Sequence, residues 1–222
     1  MKTLIVGGGE LDIAFLLRYT GFFQPDLVIA ADRGMDYLLE AGIAPDLILG
    51  DYDSTSASEQ IREFRRRGLP VRTYPCEKDF SDMESAIREA VRLGGTKIRI
   101  LGACGGRLDH FLANLADLRI ALRAGCDAAL VNERNFIFLA DHSFVLEKKR
   151  TPWTYVSFLP MGSESVEHIT LRGFKYPLTD GTLSQGAASL GISNEITEER
   201  AEVSFRDGIL IVVLSADETV VG

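Results

Sequence analysis

The stretch SDMESAIREAVRLGGTKIRILGACGGRLDH, residues 81–110, decides the fold class. Met83, Ala86, Ile87, Ala90 and Val91 fall at helical spacing, Ser81 and Glu84 form a capping box ahead of them, and Gly94-Gly95 stops the helix. Lys97 to Leu101 then reads as a strand and Gly102 to Gly106 as a glycine-rich turn. A second helix follows, with Leu108, Phe111, Leu112, Leu115, Leu118 and Leu122 along one stripe and Gly125 at its end. Helix, strand, glycine turn and helix in succession is the repeating unit of a parallel sheet with right-handed crossovers.

The same alternation extends in both directions. Thr3 to Gly7, Leu27 to Ala31, Leu47 to Gly50, Val71 to Tyr74 and Ala128 to Val131 read as further strands, and a third helix is expected from about Ser58 to Arg67, closed by Gly68 and Pro70. After Arg134 the apolar period changes from 3.6 to 2. Trp153 to Leu159, Val166 to Leu171, Glu202 to Phe205 and Ile209 to Leu214 alternate or run apolar between turns such as Pro160-Met161-Gly162 and Asp207-Gly208, and the last pair reads as a hairpin. The polar run Glu147 to Pro152 marks a bridge near the boundary. The fold class expected is α/β: a Rossmann-like parallel-sheet domain over residues 1–142, then a C-terminal all-β sandwich over 143–222.

Composition narrows the function. The 222 residues are 46% hydrophobic and 25% charged, an ordinary globular balance, with a net charge of -8 that repels phosphate backbones, so no nucleic-acid partner is expected. The longest apolar run, Ile209 to Leu214, is far short of the roughly 20 residues that cross a bilayer, and Leu4 to Val6 is too short for a signal peptide. No membrane association and a cytoplasmic location are therefore expected. Cys76, Cys104 and Cys126 make no CxxC pair and His110, His142 and His168 no HxxxH, which leaves carboxylates as the ligands for any cation.

The densest chemistry stands at Gly50-Asp51-Tyr52-Asp53-Ser54, after the third strand. Residues two apart point to one face, so Asp51 and Asp53 can project together into the crevice where open α/β sheets bind ligands. A second acidic pair, Asp79 and Asp82, stands in Lys78-Asp79-Phe80-Ser81-Asp82 at the start of the capped helix. Single aspartates after strands are often turn or cap residues. Four carboxylates at one sheet edge resist ionising together unless a cation neutralises them, and all-oxygen ligation suits Mg²⁺ and phosphate chemistry.

The turn Gly102 to Gly106 opens a helix whose free N–H groups, with the fork of Arg107, suit a phosphate; Asp109 can cap that helix or reach a metal. Gly7-Gly8-Gly9 invites comparison with the dinucleotide fingerprint, because Asp32 closes the second strand. The third glycine of GxGxxG would fall at Asp12, so we read a nucleotide-contacting turn without the nicotinamide inference. There is no GxxxxGK[ST], which excludes a P-loop kinase. In the β-rich part, Gly173 to Leu178 and Gly191 to Glu195 are the segments folding explains least; small polar groups there can orient a heterocycle, or simply turn the chain.

Taken in order, Ala31-Asp32-Arg33-Gly34, Pro45 to Ser54, Lys78 to Glu84, Gly105 to Asn114 and Ile192-Ser193-Asn194-Glu195 resemble the signature set of the thiamine pyrophosphokinase family over nearly the whole chain. The resemblance implies transfer of pyrophosphate from ATP to the hydroxyl of thiamine, giving thiamine diphosphate and AMP, in a homodimer whose active site lies at the subunit interface. On the matching positions it implies Mg²⁺ on Asp51, Asp53 and Asp79, and charge stabilisation by Lys78 and Arg107. Nucleotide contacts would come from Gly8, Gly9, Asp32, Gly34, Ser54, Gly105, Gly106 and Asp109, and thiamine contacts from Asp82, Ser193 and Asn194. Asp82 or Asp79 would take the hydroxyl proton. Arg33 stands where the family usually has glycine, Ser81 replaces a common threonine, and no tryptophan adjoins Ser193-Asn194 as in eukaryotic relatives. A nucleotide-dependent oxidoreductase using Gly7 to Gly9 and Asp32, and a non-catalytic nucleotide or thiamine sensor, are the alternatives weighed; the first leaves two acidic pairs unexplained.

Overall fold

A computed structural model describes residues 1–50, 55–68 and 79–220, and the backbone divides into two compact units, one to Asn132 and one from Glu133 to Val220. The first unit alternates β1 (Lys2–Val6), α1 (Ile13–Phe23), β2 (Leu27–Ala31), α2 (Gly34–Glu40), β3 (Leu47–Leu49), α3 (Thr55–Arg66), α4 (Asp82–Arg92), β4 (Lys97–Leu101), α5 (Leu108–Arg123) and β5 (Asp127–Val131). The strands lie in the order β3-β2-β1-β4-β5, all parallel, with Leu4 opposite both Val28 and Arg99. Leu4, Ile5, Ile29, Ile48, Ile98, Ile100 and Leu130 are fully buried. Helices cover both faces of such a sheet, which is why its strands read as continuous apolar runs and not as alternations.

The strand expected at Val71 to Tyr74 lies outside the described residues. Helices α1 and α2 go beyond the pattern reading. In α1, Phe15, Leu16, Tyr19 and Phe23 are buried, but Leu17 and Phe22 are exposed, so the apolar residues spread around the helix and blur its period. The stripe expected on α5 is only partly correct: Leu115 and Leu118 are buried, whereas Leu108 and Leu112, two turns and one turn before Leu115, are 75% and 61% exposed. The capping box of α4 is half made. Ser81 Oγ accepts from Glu84 N at 3.0 Å, while the Glu84 carboxylate takes the Arg88 guanidinium instead.

The second unit is an antiparallel β-sandwich: β6 (Asn135–Ala140), β7 (Phe144–Glu147), β8 (Tyr155–Pro160), β9 (Ser165–Arg172), β10 (Leu178–Ser184), β11 (Arg200–Ser204) and β12 (Leu210–Ser215). β6-β12-β8 and β10-β9-β11-β7 form its two layers, so β11 and β12 are not the hairpin that their spacing suggests: the Asp207-Gly208 turn carries the chain from one layer to the other, and each strand pairs within its own sheet. Val156, Phe158, Leu210 and Val212 meet Val166, Ile169, Leu171 and Val203 in one core, with Phe158 and Phe174 edge to face at 5.6 Å. The polar run after β7 is a short 3₁₀ turn, Lys148–Arg150, held to the sandwich by Lys148 N donating to Glu199 O at 2.9 Å. Among the described residues no helix is long and apolar enough to cross a membrane.

Candidate active site

Parallel strands end at one edge, and there the first unit opens a cleft of about 860 Å³. Its lining comes from five places: Gly7 to Glu10 after β1, Ala31 to Arg33 after β2, Tyr37 on α2, Ser81 to Met83 at the start of α4, and residues between Gly102 and Asn114 from β4 into α5. The first and last are laced together through their backbones. Gly7 N donates to Leu101 O and Gly9 N to Gly102 O, both at 2.8 Å. A methyl on Gly102, whose φ is +66°, would fall 2.4 Å from Gly7 O, so only glycine admits this approach.

Asp32 sits in the left-handed region at φ 51°, held by its N–H to Leu49 O, and its carboxylate stands beside Gly8, where an added methyl would meet Oδ2 at 3.0 Å. Asp12, at the position that spoils the dinucleotide fingerprint, caps α1 by accepting from Phe15 N at 2.7 Å. Asp82 opens α4 and is half-buried in the cleft; Asp79 is exposed just ahead of it. At the opposite wall Arg107 and Asp109 form a fork, Nη2 to Oδ2 at 2.5 Å and Nε to Oδ1 at 3.1 Å. The Arg107 guanidinium holds the Asp109 carboxyl below its ordinary range, and Asp109 raises Arg107 in return. Asn114 Nδ2 steadies the glycine turn by donating to Ala103 O at 3.2 Å.

Gly8, Gly9, Asp32, Asp82, Gly105, Gly106, Arg107 and Asp109 thus line one cleft. Gly34 does not. It is buried where α2 crosses β1, and a methyl there would fall 1.8 Å from Val6 O. Asp51, Asp53, Ser54 and Lys78 lie outside the described residues. Ser193 and Asn194 belong to the sandwich. Ser193, at φ 55°, is exposed, with its N–H on Ser157 Oγ at 3.1 Å. Asn194 is 2% exposed, and its side-chain amide is spent on the chain: Oδ1 accepts from Tyr176 N and Glu195 N, and Nδ2 donates to Tyr176 O. Pattern reading missed Glu10 as a cleft residue; its only signal was an acid directly after Gly7-Gly8-Gly9.

The cleft's donors, Glu10, Asp32, Asp82 and Asp109, are hard oxygens of the kind Mg²⁺ takes, although among the described residues no three acids, cysteines or histidines gather into a metal-ligating group.

Residues 22–130 match the family model "Thiamin pyrophosphokinase, catalytic domain" and residues 141–210 match "Thiamin pyrophosphokinase, vitamin B1 binding domain". The thiamine pyrophosphokinase of Bacillus subtilis (strain 168) is 36% identical over 220 residues, 98% of this chain and 100% of the relative. Thiamine pyrophosphokinase 1 of Oryza sativa subsp. japonica is 26% identical over 206 residues, 86% of this chain and 73% of the relative. The crystal structure of the Bacillus subtilis enzyme superposes with a TM-score of 0.84 at 34% identity, covering 98% of this chain and 100% of that one. The enzyme of Geobacillus thermodenitrificans superposes with a TM-score of 0.82 at 35% identity, covering 98% of both chains. By its sequence over its whole length and by its fold, the chain belongs to the thiamin pyrophosphokinase family.

Proposed function

We propose that the chain transfers the terminal pyrophosphoryl group of ATP to the hydroxyl of thiamine, releasing AMP. The observation that carries this reading is the match along nearly the full chain to a relative of that activity, at 36% identity, with Asp32, Asp82, Arg107 and Asp109 of the signature set on one cleft of the catalytic unit. Neither the oxidoreductase nor the sensor is favoured. Asp12 caps a helix where the dinucleotide fingerprint needs glycine.

The thiamine oxygen attacks Pβ in line, the bond from Pβ to the oxygen bridging to Pα breaks, and AMP leaves with that electron pair. Asp82 accepts the hydroxyl proton, a role supported by its place in the cleft at the first turn of α4, ahead of the more exposed Asp79. Arg107 swings its planar fork from Asp109 to the phosphoryl oxygens, and Lys78 adds a second positive charge. Gly8, Gly9, Asp32, Gly105 and Gly106 seat the nucleotide. Asp51, Asp53 and Asp79 would hold Mg²⁺, which would supply charge neutralisation for the triphosphate. Gly34 supports the nucleotide turn through α2, and Ser54 adds a nucleotide contact.

The first unit serves the nucleotide and the second thiamine, which Ser193 meets directly and Asn194 serves by holding its neighbours. We place the active site at a homodimer interface. Exposed Leu108 and Leu112 beside the cleft, and exposed Leu190 and Ile192 beside Ser193, support that assembly. The test is to incubate the purified chain with ATP, Mg²⁺ and thiamine and separate the nucleotides. AMP and thiamine diphosphate in equal amounts are expected; ADP, or no product, would overturn the reading.

A further inference from the structure

Glu10 is the acid of the cleft to which the mechanism gives no task. Its side chain lies along the Gly105–Gly106 turn. A methyl on Gly105 would fall 2.9 Å from Glu10 Cβ and 3.0 Å from Oε2, and one on Gly106 would fall 3.9 Å from Oε1. Gly106 has φ +72°, so the turn presents bare backbone to the carboxylate, and each carboxylate oxygen lies nearest one glycine. The neighbouring guanidinium of Arg107 is turned to Asp109.

A carboxylate seated there decides what the turn can receive. A phosphoryl group at about 4 Å would meet a like charge, a repulsion that is felt even where water screens it. Ionised Glu10 is acceptor-only, so it selects neutral donors, and two adjacent oxygens suit the paired hydroxyls of a ribose. We infer that Glu10 is a specificity residue that binds the 2′- and 3′-hydroxyls of the nucleotide, making Gly105–Gly106 the ribose seat and leaving the phosphates to Arg107 and to the cation that the other acids would hold. This rests on the ATP-consuming reading above.

The test is steady-state kinetics of the full chain with ATP, 2′,3′-dideoxy-ATP and ITP at saturating thiamine, for the parent protein and for Glu10→Ala and Glu10→Gln. The parent should show a KM for dideoxy-ATP at least about 10-fold above that for ATP, the range of a charge-assisted hydrogen bond. Glu10→Ala should raise the KM for ATP to the dideoxy value, leave the dideoxy KM in place, and leave kcat nearly as it was, the signature of uniform binding lost. Glu10→Gln should fall between, because its amide still offers one acceptor. Equal effects on ATP and dideoxy-ATP would overturn the inference, as would convergence of ATP with ITP instead, which would assign Glu10 to the base amine. A parent protein that makes no AMP at all would sink the pyrophosphokinase reading itself, a different outcome from AMP formation that ignores the diol.

Discussion

Arg107 lies fork to fork on Asp109, two residues away, with both side chains open to solvent at the mouth of the cleft: 73% and 63% exposed. An exposed pair of this kind adds little to stability, so its worth lies in keeping a planar cation aimed and available. Arg107→Lys keeps the charge and loses the fork. We expect kcat/KM to fall by roughly 10- to 100-fold with an unchanged melting temperature, checked by AMP release and thermal unfolding. Full activity in the lysine variant would mean that charge alone suffices.

Asp53→Asn should cut turnover by at least roughly 10²-fold while leaving the fold intact. Circular dichroism and AMP release under raised Mg²⁺ report the two separately. Turnover near that of the parent would remove Asp53 from the metal site.

Asn194→Ala tests the sandwich. Three hydrogen bonds to Tyr176 and Glu195 backbone would vanish in a site that is 2% exposed, orphaning two N–H groups and one carbonyl. Urea unfolding should show a loss of about 2–4 kcal/mol. Asn194→Asp still accepts from both N–H groups but sets an acceptor oxygen against Tyr176 O in a buried site, so it should lose at least as much at neutral pH; a clearly smaller loss would show that the contact of Nδ2 with Tyr176 O contributes little.

Asp117 on α5 gives stability a pH dependence opposite to that of most carboxylates. Burial, then the charge of Glu84 on α4, push it up from 3.8 to about 6, with Arg88 opposing. The unfolded chain therefore releases this proton first, and between about pH 4 and pH 6 stability falls as pH rises, then levels off. Asp117→Asn should flatten that window and, allowing for solvent screening, add about 1 kcal/mol at neutral pH. Urea titrations at several pH values decide it; an unchanged slope would place the dependence elsewhere.

Several of these features were written in local sequence. Apolar runs stopped by glycines announce strands buried on both faces, Ser81 announces the start of α4, and the change of period after Arg134 announces the sandwich. These depend on neighbours within a turn or two, where steric and hydrogen-bond rules act directly. What needed tertiary structure depends on residues far apart in the chain. Leu108 and Leu112 obey the helical period and still face solvent, because burial is set by what packs against α5 and not by spacing. Gly34 stands in a nucleotide motif but touches Val6 O, and Asn194 stands in a substrate motif but holds Tyr176. Glu10 meets Gly105 only because β1 and β4 pair in register, Val6 opposite Leu101, which delivers two loops distant in sequence to the same edge of the sheet.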